Sequence, residues 1–195
     1  LAAKIKGIPH IHTTHCPWSD AKRSIIGKLG ILISYNTLSR IALKSANKVI
    51  AITPWENEFI KKYGVSKEQI INLPNGMSNE FFKKIKNNDF KKKHKIPQEN
   101  KMVLFFGRLN ETKQPDKFVD IAKLILKERS DIEFVIVGPD EGLQDLVIKK
   151  IGNEKRIHFL GKLTQRSDVL KMYQSADVYV LPSYREGLPL TLFEA

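Results

Sequence analysis

Two glutamates near the end of the chain, Glu186 and Glu194, have the residue type and spacing that point most directly to chemistry. A helix is predicted to begin near Pro189, so Glu194 lies about 8 Å along it at about 1.5 Å per residue, while Glu186 stays in the loop. A carboxylate accepts hydrogen bonds from both hydroxyls of a diol. The spacing therefore predicts two separate roles. Two isolated acids at this spacing are more often a helix cap and a surface residue, and the surrounding order of elements is what favours the binding roles.

Two cations in the loop 107–113 form a second candidate site. Gly107 lets the backbone approach a ligand closely, and Arg108 and Lys113 lie at the mouth of the next predicted helix. Arginine binds two phosphate oxygens as a fork and lysine acts as a point charge, so the pair is able to neutralise a diphosphate without a metal. The alternative is a surface turn with solvated charges.

The backbone amides between the two glutamates complete this pattern. Gly187, Leu188 and the start of the helix offer N–H groups without a helical partner, which favour an anion. A nucleotide-sugar carries one diol on its sugar and one on its ribose, on either side of a diphosphate. The residues fit such a ligand.

Alternating strands and helices are predicted through the second half of the chain. Strands are predicted at 102–106, 132–137, 157–160 and 178–181, and helices at 116–128, 143–151, 168–175 and from Pro189 onward. Short connections between them predict a parallel sheet covered on both faces. Such sheets bind ligands beyond the carboxyl ends of their strands, where the loops 107–113, 138–142, 161–163 and 183–187 fall.

The first half of the chain has the same character. Strands are predicted ending near His15 and at 48–53 and 70–73, and helices at 36–46 and from Thr53, as N-cap before Pro54, to about Gly64. A loop is predicted over 16–20. The single cysteine, Cys16, cannot form an internal disulfide, which fits a reducing cytoplasm.

Charge and composition divide the chain into three parts. Residues 1–79 carry a net charge of +7, residues 80–101 carry +5, and residues 102–195 are neutral. The lysine-rich stretch 80–101 is interpreted as a basic linker or hinge between two lobes. Leu1 at the start and a helix running into Ala195 are interpreted as the ends of a fragment of a longer protein.

The net charge of +12 also raises the possibility of a nucleic-acid-binding protein. The chain lacks a recognisable nucleic-acid motif, and its lysines are not interleaved with aromatic residues as a stacking platform requires. A metal site is equally disfavoured, because strand alternation points His10 and His12 to one face and His15 to the other. No apolar run reaches the roughly 18 residues of a membrane-spanning helix.

The ordered set of motifs resembles the group 1 family of retaining glycosyltransferases, which have the GT-B fold of two Rossmann-like lobes. The resemblance covers nearly the whole chain and rests on residues 51–53, 73–76, 107–109 with Lys113, 137–139, 159–161 and 186–194. It implies an α/β fold with two parallel sheets, both lobes being incomplete. Residues 1–79 correspond to the acceptor lobe and residues 102–195 to the nucleotide-sugar donor lobe.

The resemblance also implies roles for individual residues. Arg108 and Lys113 correspond to the basic pair that holds the donor diphosphate, Glu186 to the acid at the donor sugar, and Glu194 to the acid at the ribose. The backbone from Gly161 to Leu163 corresponds to the nucleobase site. His15 corresponds to a histidine near the acceptor, although it is also simply one of four histidines in a basic half of the chain. The family usually has glycine where this chain has Gln114.

The implied reaction transfers a sugar from a nucleoside diphosphate sugar to an acceptor hydroxyl with retention of configuration, with no metal or cofactor beyond the donor. The implied acceptors are glycans or lipid-linked sugars. The basic first half favours contact with an anionic membrane surface, and hence a cytoplasmic, peripheral location on the inner face of the membrane. A sugar-nucleotide epimerase, a phosphorylase or a non-catalytic relative of the same fold stays open as an alternative.

Overall fold

The computed structural model describes residues 2–15 and 24–195, apart from the side chain of Ile31. The loop predicted over 16–20, including Cys16, lies outside the described residues. The chain divides into two compact units, Leu1–Gly76 and Met77–Ala195. Each unit has its own sheet and its own core.

The first unit contains a three-stranded parallel sheet with the order β1-β2-β3. Its strands and helices are β1 (Ile11–Thr13), β2 (Lys48–Ala51), β3 (Ile70–Asn72), α1 (Ala2–Ile5), α2 (Ile25–Ser34), α3 (Arg40–Ser45) and α4 (Glu56–Lys62). A π-helical turn, Tyr35–Ser39, joins α2 to α3. The core contains Val49 and Ala51 of β2 packed with Leu43, Ile60 and Val65.

Helix α4 begins differently from the prediction. The sequence predicted Thr53 as N-cap and Pro54 as the first helical residue, but α4 begins at Glu56. The buried Glu56 carboxylate accepts a hydrogen bond from the Ile52 amide at 2.7 Å, which satisfies a backbone donor just before the helix. The Thr53 hydroxyl has no hydrogen-bond partner among the described residues. Glu56 therefore holds the turn that precedes α4, and within the described part of the chain no side chain caps the first amides of the helix itself.

Helix α2 was not predicted, because the sequence placed a helix only from Asn36 onward. It carries five large aliphatic side chains that are 56% to 86% exposed: Ile25, Ile26, Leu29, Leu32 and Ile33. At 100° per residue these side chains fall within about 120° of the helix circumference. We call this surface the α2 apolar face.

The second unit contains a four-stranded parallel sheet with the order β6-β5-β4-β7. Its strands and helices are β4 (Lys101–Phe106), β5 (Ile132–Val137), β6 (Ile157–Gly161), β7 (Val178–Tyr179), α5 (Phe90–Lys93), α6 (Pro115–Ile125), α7 (Gln144–Ile151), α8 (Arg166–Ser175) and α9 (Leu190–Glu194). The predicted alternation of strand and helix is confirmed. Strand β5 is buried almost throughout, because helices cover both faces of the sheet.

Two core clusters lie on the two sides of this sheet. One packs Phe105 and Phe134 against Phe118 of α6 and Val147 of α7. The other packs Met102, Leu104 and Val135 against α5 and α8, including Met172 and Tyr173. Each β-strand thus alternates its side chains between two separate cores.

The segment 80–101, predicted as a linker, lies within the second unit. Phe90 and Ile96 are buried in the core cluster beside α8, 1% and 3% exposed. Asn88 donates a hydrogen bond to the Lys171 carbonyl at 2.8 Å, and Asp89 forms an ion pair with Lys171. The apolar residues between the lysines therefore anchor this segment to the lobe.

Among the described residues, no helix combines the length and the apolar character needed to cross a bilayer.

Candidate active site

The four polar loops of the second unit converge because all four strands run parallel. The loop after β4 is tied directly to the loop after β5. Leu109 is fully buried and forms a parallel bridge with Asp140, donating its amide to the Pro139 carbonyl at 2.9 Å and accepting from the Glu141 amide at 3.2 Å. The predicted meeting of loops at this edge is therefore present.

Gly107 and Gly138 bring the ends of β4 and β5 unusually close. A Cβ added to Gly138 would stand 1.8 Å from the Gly107 carbonyl oxygen, far inside van der Waals contact. The Gly107 amide donates to the Val137 carbonyl at 3.0 Å. Only glycine at position 138 permits this approach, so the shape of the loop carrying Arg108 depends on it.

Lys113 and Glu186 form the most closely packed ion pair of the site. The Lys113 Nζ lies 2.5 Å from the Glu186 Oε1, and the two side chains are only 15% and 24% exposed. The Lys113 amide also donates to the Asn110 side chain at 3.0 Å. The Tyr184 amide donates to the Thr112 carbonyl at 3.3 Å, which holds the two loops together.

Arg108 has a second carboxylate partner that the sequence did not predict. The Arg108 Nη1 lies 3.2 Å from the Glu141 Oε1, and the Asn110 side chain donates to the Glu141 Oε2 at 2.7 Å. The hydrogen bond from Asn110, followed by that from Arg108, lowers the pKa of Glu141 below its ordinary value. Arg108 remains 60% exposed, so its pair with Glu141 contributes little to stability. The sequence did indicate Glu141 in one respect, because it is an acidic residue in the loop after β5.

The backbone conformation of Gln114 is one that favours glycine, the residue that the resembled family usually has at this position. Its backbone is left-handed, with φ 52° and ψ 50°, directly before Pro115 opens α6. Residues other than glycine adopt this conformation at a cost of roughly 1 kcal/mol. Gln114 therefore carries backbone strain at the residue that follows Lys113.

The two glutamates of the last loop have different partners. Glu186 contacts Lys113, whereas the Glu194 Oε2 accepts a hydrogen bond from the buried Tyr173 hydroxyl at 3.0 Å. Burial, and then the charge of Glu194, raises the pKa of Tyr173, so its hydroxyl stays protonated as a donor. Tyr173 was missed because its partner lies 21 residues along the chain.

A second tyrosine lies at the same edge of the sheet. The Tyr179 hydroxyl donates to the Phe106 carbonyl at 3.0 Å, at the point where β4 ends. Burial raises the pKa of Tyr179 to about 12.

The remaining predicted residues lie in separate places. Gly187 and Leu188 are half-buried between the two glutamates. Gly161 ends β6 with φ 66°, and Leu163 packs against the core cluster beside α8. His15 belongs to the first unit, where it is exposed two residues beyond β1 with φ 46°. The structure thus brings Arg108, Lys113 and Glu186 to one edge of the second sheet, and roles for all these residues remain predictions.

Within 2–15 and 24–195, no group of three or more His, Cys, Asp or Glu side chains is arranged to hold an ion. His10 and His12 do lie on one side of β1, with ring centroids 6.0 Å apart.

The fold and the strand-end site define an α/β protein of the GT-B type. The structure is similar to that of HepE from Anabaena, solved in complex with UDP and glucose, with a TM-score of 0.75 and 21% identity over all of this chain and 52% of that one. It is also similar to sucrose-phosphate synthase from Thermosynechococcus elongatus, with a TM-score of 0.72 and 19% identity over 99% of this chain and 50% of that one. The predicted fold class is confirmed.

The chain belongs to the family described as Glycosyl transferases group 1, whose model matches residues 86–195. Residues 1–81 match a second model, Glycosyltransferase Family 4. The predicted family is thereby confirmed.

Curated relatives match all or most of the chain. The UDP-Gal:alpha-D-GlcNAc-diphosphoundecaprenol alpha-1,3-galactosyltransferase of Escherichia coli is 32% identical over all of this chain and 51% of its own length. The N,N'-diacetylbacillosaminyl-diphospho-undecaprenol alpha-1,3-N-acetylgalactosaminyltransferase of Campylobacter jejuni is 28% identical over 82% of this chain and 42% of its own length. The chain spans about half the length of the curated relatives it matches.

Proposed function

We propose that this protein transfers a sugar from a nucleoside diphosphate sugar to an acceptor hydroxyl with retention of anomeric configuration. The observation that carries the proposal is the partly buried Lys113–Glu186 ion pair beside Arg108, at the carboxyl edge of a parallel sheet. Two cations and a carboxylate are what a diphosphate and an adjoining sugar require. Membership of the glycosyltransferase family supports the same reading.

The proposed chemistry depends on charge more than on a strong base. Arg108 and Lys113 balance the negative charge that develops on the diphosphate as its bond to the sugar breaks. The amides of Gly187 and Leu188 add donors toward the same group. The Glu186 carboxylate accepts hydrogen bonds from sugar hydroxyls, which places the anomeric carbon for attack by the acceptor. No metal or cofactor is needed in this scheme.

We further propose UDP as the donor nucleotide and a lipid-linked sugar as the acceptor. The E. coli relative is named for a UDP-Gal donor and a diphosphoundecaprenol acceptor, and the C. jejuni relative is named for an undecaprenol-linked acceptor. HepE was solved with UDP. In this proposal the first unit belongs to the acceptor lobe, where His15 lies near the acceptor, and the second unit belongs to the donor lobe. Glycan acceptors are the second possibility.

For a membrane-bound acceptor, we propose that the α2 apolar face contacts the membrane. This face exposes aliphatic side chains such as Leu29 and Ile33, and exposed Lys28 lies next to them on the helix. An amphipathic helix with flanking cations binds anionic bilayers by inserting its apolar face below the headgroups. The protein is accordingly proposed to act in the cytoplasm, at the inner face of the membrane.

Two lysines of the stretch 83–95 have partners inside the second unit, which makes this stretch a weaker candidate for membrane contact than the α2 apolar face. Lys93 is paired with Asp168 at 2.8 Å, and Lys91 donates to the Asn100 carbonyl at 2.7 Å. These two lysines have structural partners within the second unit.

Vesicle sedimentation tests the membrane proposal. The full-length protein should sediment with vesicles containing anionic lipid, and the double substitution Leu29→Glu/Ile33→Glu should reduce this binding strongly. Ile148→Glu, which changes an exposed isoleucine on α7, is the matched control. Equal binding to neutral vesicles, or no effect of the double substitution, would count against the proposal.

Product analysis tests the proposed reaction. The full-length protein should release UDP from a UDP-sugar only when an acceptor is present, and the product should keep the anomeric configuration of the donor. An epimerase would instead convert the UDP-sugar without an acceptor, and a non-catalytic relative would bind it unchanged. Either of these results would refute glycosyl transfer.

A further inference from the structure

Tyr173 lies on α8 and is 5% exposed, with its hydroxyl directed at the last loop of the site. A buried tyrosine hydroxyl needs a hydrogen-bond partner. Its partner is the Glu194 carboxylate, at 3.0 Å from Oε2. The carboxylate has a second oxygen and further lone pairs, so it retains capacity to accept hydrogen bonds from a ligand.

Three aromatic rings hold Tyr173 in place. Its ring lies edge-to-face against Phe106 at 5.5 Å, Phe81 at 5.9 Å and Tyr179 at 6.0 Å between centroids. Such packing fixes both side-chain torsions of a tyrosine. The position of its hydroxyl is therefore determined by the core of the second unit.

The Glu194 side chain is less confined than that of Tyr173. It is only half-buried, whereas Tyr173 is packed into the core of the second unit. The hydrogen bond from the Tyr173 hydroxyl therefore connects this carboxylate to a rigid part of the fold.

We propose that Tyr173 is a positioning residue that fixes the Glu194 carboxylate to receive the ribose hydroxyls of the donor nucleotide. This proposal rests on the proposed function, in which Glu194 binds ribose. Tyr173 does not itself touch the nucleotide in this account. Its effect is confined to the ribose and leaves the diphosphate contacts of Arg108 and Lys113 unchanged.

Calorimetric binding of UDP and 2′-deoxy-UDP to the full-length protein tests the proposal. The native protein should bind UDP about tenfold more tightly than 2′-deoxy-UDP, as expected for one charge-assisted hydrogen bond. Tyr173→Phe should remove most of this preference, and it should weaken 2′-deoxy-UDP less than UDP because that ligand has only the 3′-hydroxyl contact to lose. In turnover assays the same variant should raise KM for the donor with kcat unchanged, because ribose is bound equally in the ground and transition states.

Two further variants separate positioning from general stability. Tyr179→Phe removes a neighbouring buried hydroxyl that bonds to the Phe106 carbonyl instead, and it should keep the preference for UDP. In a Glu194→Ala background, Tyr173→Phe should have no additional effect on the UDP to 2′-deoxy-UDP ratio. These comparisons remain informative even if Tyr173→Phe lowers the melting temperature.

The results distinguish failure of the positioning role of Tyr173 from failure of the proposed function. If Tyr173→Phe weakens UDP and 2′-deoxy-UDP equally, or acts independently of Glu194, the positioning role is overturned while the donor site stands. If the native protein binds neither nucleotide, the proposed function fails, and the role of Tyr173 fails with it.

Discussion

Lys113 and Glu186, separated by 73 residues in the sequence, meet with the Lys113 Nζ 2.5 Å from the Glu186 Oε1. The pair joins the loop after β4 to the loop after β7, and both side chains are largely buried. Glu186 supplies the counter-charge for Lys113. A bound diphosphate would take over that role and leave Glu186 available to sugar hydroxyls.

This exchange predicts opposite effects on binding and turnover for Glu186→Gln. Without the competing carboxylate, Lys113 should bind UDP as tightly as before or more tightly. Transfer from the UDP-sugar should fall roughly 100-fold, because the sugar loses a positioning contact. Calorimetry and a coupled UDP-release assay measure the two effects. Loss of UDP binding with normal turnover would contradict the exchange.

Gln114 offers a test of backbone strain at the site. Gln114→Gly should stabilise the protein by about 0.5–1 kcal/mol, because glycine accepts φ 52° without the Cβ penalty and its greater unfolded entropy offsets only part of the gain. Gln114→Val should destabilise it, since β-branched residues disfavour this region. Urea unfolding measures both changes. A glycine variant less stable than the valine variant would be inconsistent with the strain.

The close approach of Gly138 to Gly107 predicts a larger effect. Gly138→Ala should lower the free energy of unfolding by about 3 kcal/mol, because the new Cβ overlaps the Gly107 carbonyl and the loops must separate. Gly142→Ala is the matched control: its φ of 101° also disfavours alanine, but no atom lies within 4 Å of the added Cβ. Gly142→Ala should lower the free energy of unfolding by about 1 kcal/mol. Equal losses in thermal or urea unfolding would show that the overlap is unimportant.

Asp177 predicts a pH dependence of stability. Its carboxylate accepts from the Lys101 Nζ at 2.9 Å and the Met102 amide at 2.8 Å, and these bonds, that from Lys101 first, lower its pKa below 3.8. A lowered carboxyl pKa gives stability that is present above the unfolded value and lost as pH falls through the folded one. Asp177→Asn should cost about 1 kcal/mol at pH 7 and progressively less below pH 4.

Urea unfolding at pH 7 and pH 3 checks this dependence, with Glu99→Gln as an exposed control. If the free energies of unfolding of the native protein and Asp177→Asn differ by the same amount at pH 7 and pH 3, Asp177 is not the source of the pH dependence.

The order of elements was predictable because parallel strands leave a strong sequence signal. Residues 132–137 form a continuous apolar run apart from Glu133, and such a run between helical patterns is typical of a strand buried on both faces. The loops that follow such strands were therefore placed correctly at one edge. The contacts of Glu141 and Tyr173 were not predictable, since each depends on how two distant loops or elements pack.

The segment 80–101 shows how composition misled the interpretation. Its lysines resemble a solvated hinge, but Phe90 and Ile96 are buried in the core of the second unit. Helix α2 was not predicted, although Ile25, Leu29 and Leu32 have helical spacing and the predicted helix begins only at Asn36. In both places the positions of the apolar residues indicate the structure that forms.

Arg108 and Lys113 are proposed to bind the diphosphate of the donor. Calorimetry with UDP and UMP tests this role most directly. The native full-length protein should bind UDP at least about tenfold more tightly than UMP. Arg108→Ala/Lys113→Ala should abolish this preference, whereas Lys117→Ala, which removes an exposed lysine one turn into α6, should keep it. A double variant that still prefers UDP over UMP would contradict the account.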